Sequence, residues 1–162
     1  MDEKDIKVGI GDLNVALPPY RLITLGLGSC VGIALYDSIS KVAGLAHIML
    51  PDSSCFKNQK NPMKFADAAI PILIDKMLEK GASRVRLRAK IAGGASMFSF
   101  TDKNSILDIG SRNVKSVMSV LSKNNISLIA EDTGGNFGRT MIVEAETGKV
   151  YIRTAGKGIK EL

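Results

Sequence analysis

Two residues of this 162-residue chain are of types that perform chemistry, and their context could bring them together. Cys30 lies in the run Gly26-Leu27-Gly28-Ser29-Cys30-Val31-Gly32, and His47 is the only histidine. Glycine permits unusual backbone angles and close approach of a substrate to the main chain. A thiol set among glycines is therefore accessible, and neighbouring backbone N–H groups could serve as an oxyanion hole. Gly28 and Ser29 are the candidate substrate-binding positions beside it. The competing reading is an inert cysteine in a turn, because free cysteine is among the most buried residue types. A lone histidine within Ala46-His47-Ile48-Met49-Leu50 has its own bland reading, as a satisfied residue of an apolar strand.

The local pattern strengthens the chemical alternative. Residues 31–36 and 42–50 are apolar runs separated by Asp37-Ser38-Ile39-Ser40-Lys41, which predicts a β-hairpin. Pairing Asp37 with Ser40, or Tyr36 with Lys41, places Cys30 directly opposite His47 on one sheet face. Such cross-strand neighbours have Cβ atoms roughly 5 Å apart, close to the reach of a nucleophile and its base. An imidazolium beside a thiol lowers the thiol pKa, and the thiolate attacks a carbonyl carbon. The histidine then protonates the leaving group. A third group usually orients the imidazole. Thr24, on the preceding strand, is a candidate through its hydroxyl or its carbonyl, and it is equally an ordinary β-branched strand residue.

The elements that must position these residues follow from periodicity. Residues 5–10, 13–17 and 20–25 read as strands, with Pro18-Pro19 as a break. A polar loop spans Pro51 to Pro62. Lys64 to Lys80 predicts a helix ended by Gly81, with Pro71 awkward inside it. Arg84 to Ile91 alternates basic and apolar residues, which predicts a strand with Arg84, Arg86, Arg88 and Lys90 on one face. That face is either solvated or a dock for an acidic partner. Ser111 to Lys123 predicts a second helix, with Val114, Val117, Met118 and Leu121 on one side. Residues 126–131, 139–146 and 150–154 read as strands, the last two as a hairpin, and Ala155 to Leu162 as a basic tail. Many hairpin-linked strands with two main helices make an α+β fold rather than an alternating βαβ one. The length fits one domain spanning residues 1–162.

Other chemistries are poorly supported. The glycine spacing is not GxGxxG, and one histidine with two cysteines is not a plausible zinc site. No cofactor or metal is expected. A nucleophile elbow would need a helix after Cys30 and a late histidine. Cys55, in the polar loop, has no histidine near it in sequence and is read as incidental. Phe98 and Phe100 are either an exposed anchor for a partner helix or core. The composition is 45% apolar and 23% charged, which is globular rather than disordered. The formal charge of +6 favours acidic partners. It is too evenly spread to demand nucleic acid, and aromatics at 5% with no Trp offer no base-stacking platform. The start of the chain is charged with no apolar stretch behind it, and no run approaches the roughly 18 apolar residues of a membrane span. The expectation is a cytoplasmic protein with reduced cysteines.

Longer motifs carry a resemblance. Residues 24–31 (TLGLGSCV), 46–51 (AHIMLP), 90–98 (KIAGGASMF), 109–114 (IGSRNV) and 131–136 (EDTGGN) resemble, in order, the CheD family of chemoreceptor glutamine deamidases. The resemblance implies a β-sandwich-like core of mainly antiparallel strands flanked by two helices, related to cytotoxic necrotizing factor-type deamidases. It implies Cys30 as nucleophile, His47 as base and Thr24 as the group orienting His47. The implied substrates are glutamine side chains on the cytoplasmic helices of chemotaxis receptors, hydrolysed to glutamate through a thioester. The implied regulatory partner is CheC, a phosphatase that binds CheD proteins and can compete with receptor. Phe98 would pack on the incoming helix. Besides the deamidase, the residues allow a binding module acting mainly through CheC and a thiol esterase on small acyl substrates.

Overall fold

The apolar runs become strands. A computed structural model describes residues 2–55, 60–96 and 108–162, and in these residues ten strands form two five-stranded sheets. The first sheet has the order β1 (Asp5–Lys7), β3 (Arg21–Leu27), β8 (Arg139–Glu144), β9 (Val150–Thr154) and β10 (Gly158–Glu161). The second has the order β2 (Asp12–Ala16), β5 (Val42–Ile48), β4 (Val31–Asp37), β6 (Arg88–Gly93) and β7 (Ser127–Thr133). Neighbours are antiparallel except at two edges, where β1 runs parallel to β3 and β7 parallel to β6. The fold is α+β.

Two helices, α1 (Ala66–Glu79) and α2 (Ile109–Lys123), cover one face of the second sheet. The other face of that sheet packs on the first sheet through Leu22, Leu27, Ala34, Leu45, Met141 and Val143. The second sheet is thus the middle of three layers. Burial on both faces accounts for the continuous apolar runs of β4 and β5. Pro71 sits inside α1, where a proline costs about 3 kcal/mol. Ile70, Leu73, Ile74 and Met77 are fully buried on the same helix, each contributing roughly 1.5–3 kcal/mol, so packing outweighs the proline. None of the described helices is long and apolar enough to cross a membrane.

Four expectations need correction. Residues 84–86 form a short 3-10 turn rather than strand, because Arg86 and the Ser83 N–H both turn to the buried Asp37 carboxylate, at 2.9 and 2.8 Å. The basic residues consequently point to separate partners: Arg88 to the Leu87 carbonyl, Lys90 to Leu162 O and Arg84 to the Asn124 carbonyl. The tail contains β10, paired antiparallel with β9. The segment β6-α2-β7 is a parallel crossover unit inside an otherwise hairpin-rich chain. The fourth concerns the β4/β5 hairpin, which carries the candidate site.

Candidate active site

His47 does pair across the hairpin, but with Gly32 rather than Cys30. The connection is four residues long, 38–41, with Asp37 opposite Val42. The cause is the Asp37 side chain. Its Oδ1 accepts the backbone N–H groups of Ile39 and Ser40 at 3.0 and 3.4 Å, building an Asx-type turn that a two-residue loop could not hold. The register therefore slips by two. A slip of two preserves which sheet face each side chain uses, whereas a slip of one reverses it. Cys30 accordingly stays on the His47 side as a diagonal neighbour, just before β4 begins. It is a half-buried free thiol packed against the apolar cluster between the sheets.

His47 is fully buried, and its ring points between the sheets to Thr24 of β3. Thr24 Oγ1 lies 2.7 Å from His47 Nδ1 and 2.7 Å from the Val8 carbonyl oxygen. A hydroxyl has one proton, and a carbonyl oxygen can only accept. The Thr24 hydroxyl therefore donates to Val8 and must accept from Nδ1–H. This network assigns the neutral ring its tautomer: the proton is on Nδ1, and Nε2 carries a free lone pair. Nε2 is buried and has no hydrogen-bond partner among the described residues. A group that is acceptor-only, oriented and unsatisfied is a base ready for a proton.

Burial also sets the protonation states. It pulls the His47 pKa from 6.5 down to about 4, so the ring is neutral at pH 7. It pushes the Cys30 thiol above its ordinary value, partly opposed by the hydrogen bond from its own backbone N–H. The expected thiolate–imidazolium pair is not the resting state. The resting pair is a neutral thiol and a neutral imidazole, which calls for proton transfer during attack.

The sequence neighbours of this chain agree with its motifs. A family model described as CheD chemotactic sensory transduction matches residues 49–154. A Clostridium novyi protein named probable chemoreceptor glutamine deamidase CheD is 64% identical over 162 residues, all of both chains. A Clostridium botulinum protein of the same name is 60% identical, again over the full length of both. The chain belongs to the CheD family. The family-model match begins just after His47, whereas the full-length relatives also cover residues 24–47.

In this CheD-family chain the loop carrying Cys30 is pinned by main-chain bonds. Gly94 N–H donates to the Cys30 carbonyl and Ala95 N–H to the Gly28 carbonyl, both at 2.8 Å. Gly93 has φ +112, and an added Cβ there would lie 2.2 Å from the Cys30 carbonyl oxygen. Only glycine fits such a contact at such an angle. The Gly93 carbonyl in turn accepts from Gly134 N–H at 3.0 Å and from buried Arg139 at 3.3 Å. Ser29 uses its carbonyl to accept from Asn113 of α2 at 2.9 Å. Sequence reasoning missed both Arg139 and Asn113. Asn113 lies within the 109–114 motif, but that motif assigned it no role. Phe98 and Phe100 lie outside the described residues. Cys55 closes a single 3-10 turn, Ser53–Cys55, tied to α1 by Ser53 and Asp67. Among the described residues no group of three or more His, Cys, Asp and Glu side chains could hold a metal ion.

Proposed function

We propose that this chain is a protein-glutamine deamidase acting on chemoreceptors, with Cys30 as nucleophile, His47 as general base and Thr24 as the residue that orients His47. The observation carrying this reading is the Thr24–His47 bond, which leaves a buried Nε2 lone pair on the sheet face that Cys30 occupies. The names of the full-length relatives supply the substrate class. The whole of 1–162 acts as one cytoplasmic domain. The two-sheet core with helices on one side is compatible with kinship to cytotoxic necrotizing factor-type deamidases.

The chemistry runs as follows. His47 Nε2 takes the Sγ proton as the Cys30 sulfur attacks the glutamine carboxamide carbon. The oxyanion of the tetrahedral intermediate sits against the backbone N–H groups of Ser29 and Cys30. Imidazolium His47 gives its proton to the leaving nitrogen, ammonia departs and a thioester remains. Water, deprotonated by the same nitrogen, attacks the thioester and releases glutamate and the thiol. Each cycle adds one negative charge to a receptor helix. The net charge of +6 suits docking on an acidic helical bundle. CheC is the regulatory partner in this reading and competes with receptor for the same protein.

The test is incubation with receptor cytoplasmic fragments, followed by site-resolved mass spectrometry. The wild type converts particular glutamines with a gain of about one mass unit each, and added CheC slows conversion. Cys30→Ala converts none. Equal conversion by Cys30→Ala refutes the reading.

A further inference from the structure

Helix α2 turns one face toward the candidate site, carrying Gly110, Asn113 and Ser116 at three-residue intervals. Gly110 presses on the strand end that holds the Cys30 loop. An added Cβ would lie 2.3 Å from the Ala95 carbonyl oxygen and 2.6 Å from that of Gly94. Ser116 Oγ donates to the Pro51 carbonyl at 2.6 Å. Between them Asn113 is fully buried, and its Nδ2 donates to two carbonyls: Ser29 at 2.9 Å and Met49 at 3.1 Å.

Those two carbonyls belong to different segments. Ser29 precedes Cys30, and Met49 follows His47 by two residues. The ladder between β4 and β5 ends at the pair Val31–Ile48, so it does not hold Ser29 against Met49. Beyond that last rung, the Asn113 amide supplies the connection. The orientation of the amide is unambiguous, since a flip would face its oxygen to two carbonyl oxygens. Its Oδ1 is buried with no partner among the described residues. A side chain serving only to fill space would not carry that unsatisfied acceptor, because leucine has nearly the same volume and no polar atoms.

We propose that Asn113 is a positioning residue for the reaction, a two-donor clamp that fixes the Cys30 loop relative to the His47 strand. The inference rests on the reading of Cys30 and His47 as nucleophile and base. Without the clamp, the loop loses its tie to the segment after His47. Transfer of the Sγ proton to Nε2 depends on their separation, and a displacement of about 1 Å can lower a rate on the order of a hundredfold. Substrate docking to the exterior is untouched, so kcat falls while KM is held.

The experiment is a double-mutant cycle on thiol reactivity, in full-length protein with Cys55→Ser so that Cys30 is the only thiol. Iodoacetamide alkylation is timed for the parent, His47→Gln, Asn113→Leu and the double variant, beside kcat and KM on receptor fragments. The acceleration due to His47 is expected to shrink at least about threefold in the Asn113→Leu background, and kcat to fall about tenfold or more with KM within about twofold. Ser116→Ala, which removes an α2 anchor to Pro51 and leaves both Asn113 bonds in place, retains the full His47 acceleration. An unchanged His47 acceleration in Asn113→Leu overturns the proposal. If that variant does not fold, NMR of the unsubstituted protein decides. Both Asn113 Nδ2 protons should exchange slowly with solvent and shift on alkylation of Cys30, and fast exchange or no shift overturns it. Conversion of glutamine by Cys30→Ala would refute the underlying deamidase mechanism, whereas an inactive Cys30→Ala with a normal Asn113→Leu refutes the clamp alone.

Discussion

Thr24 Oγ1 is 2.7 Å from His47 Nδ1, and its own proton is committed to the Val8 carbonyl. One hydroxyl therefore decides which nitrogen of the only histidine is basic. The geometry links three segments: the chain after β1, strand β3 and strand β5. It also crosses the interface between the two sheets, so the candidate base is held by the tertiary packing of the sandwich rather than by any local turn.

Thr24→Val keeps the shape and β propensity of the residue and removes the hydroxyl. Nδ1–H is then left buried without a partner, which costs about 1–3 kcal/mol, and the ring is free to change tautomer. Glutamine conversion should fall on the order of a hundredfold or more, with a lowered melting temperature. Thr24→Ser keeps the bond and should stay within about tenfold of wild type. Steady-state assays and thermal melts on the two variants check this. Equal activity of Thr24→Val and wild type would show that the hydroxyl does not orient the base.

The pH dependence follows from the same burial. His47 has its pKa lowered from 6.5 to about 4 on folding. Its contribution to stability is complete above the unfolded value and is lost as pH falls through the folded one. The fold should lose roughly 3 kcal/mol between about pH 6.5 and pH 4 from this residue. Denaturant unfolding across that window, compared with His47→Gln, isolates the loss, because the variant has no group that must charge there. The acid limb of kcat/KM should likewise lie near pH 4 to 5 and not near 6.5.

Asp37 provides a control distant from the chemistry along β4. It is fully buried, and although burial opposes its charge, hydrogen bonds from Arg86 and from the N–H groups of Ser83 and Ile39 hold its carboxyl well below the usual carboxylate range. Asp37→Ala leaves the Arg86 guanidinium and these N–H groups without their acceptor and should destabilise by about 3 kcal/mol. Below the unfolding transition kcat should change little, because the ladders of β4 with β5 and β6 hold the register once the chain is folded. A large kcat loss in folded Asp37→Ala would mean that the hairpin turn, and not only its register, is coupled to the site.

Much of the candidate site was legible in the chain because glycine context and a lone histidine are local signals. The Cys30–Gly32 segment, the hairpin and the pairing side of His47 all followed from them. The register did not, because the Asp37 carboxylate captured the turn N–H groups, an effect of one side chain on loop length. Helix α1 was recognisable despite Pro71, since its apolar spacing persists on both sides. Strand β10 was missed because all four residues are exposed, so no alternation marks it. Asn113 and Arg139 were assigned no role for a different reason. Their roles lie in bonds to carbonyls of residues 84 and 46 positions away, which no periodicity reports.

The most direct measurement is the tautomer of His47. It is the only histidine, so nitrogen-15 labelling of histidine in untagged protein gives one ring to read. At neutral pH Nδ1 should be protonated and Nε2 unprotonated, with no imidazolium until the pH approaches about 4. In Thr24→Val the two forms should mix. A proton on Nε2, or a charged ring at pH 7, would contradict the assignment of His47 as the base that takes the Cys30 proton.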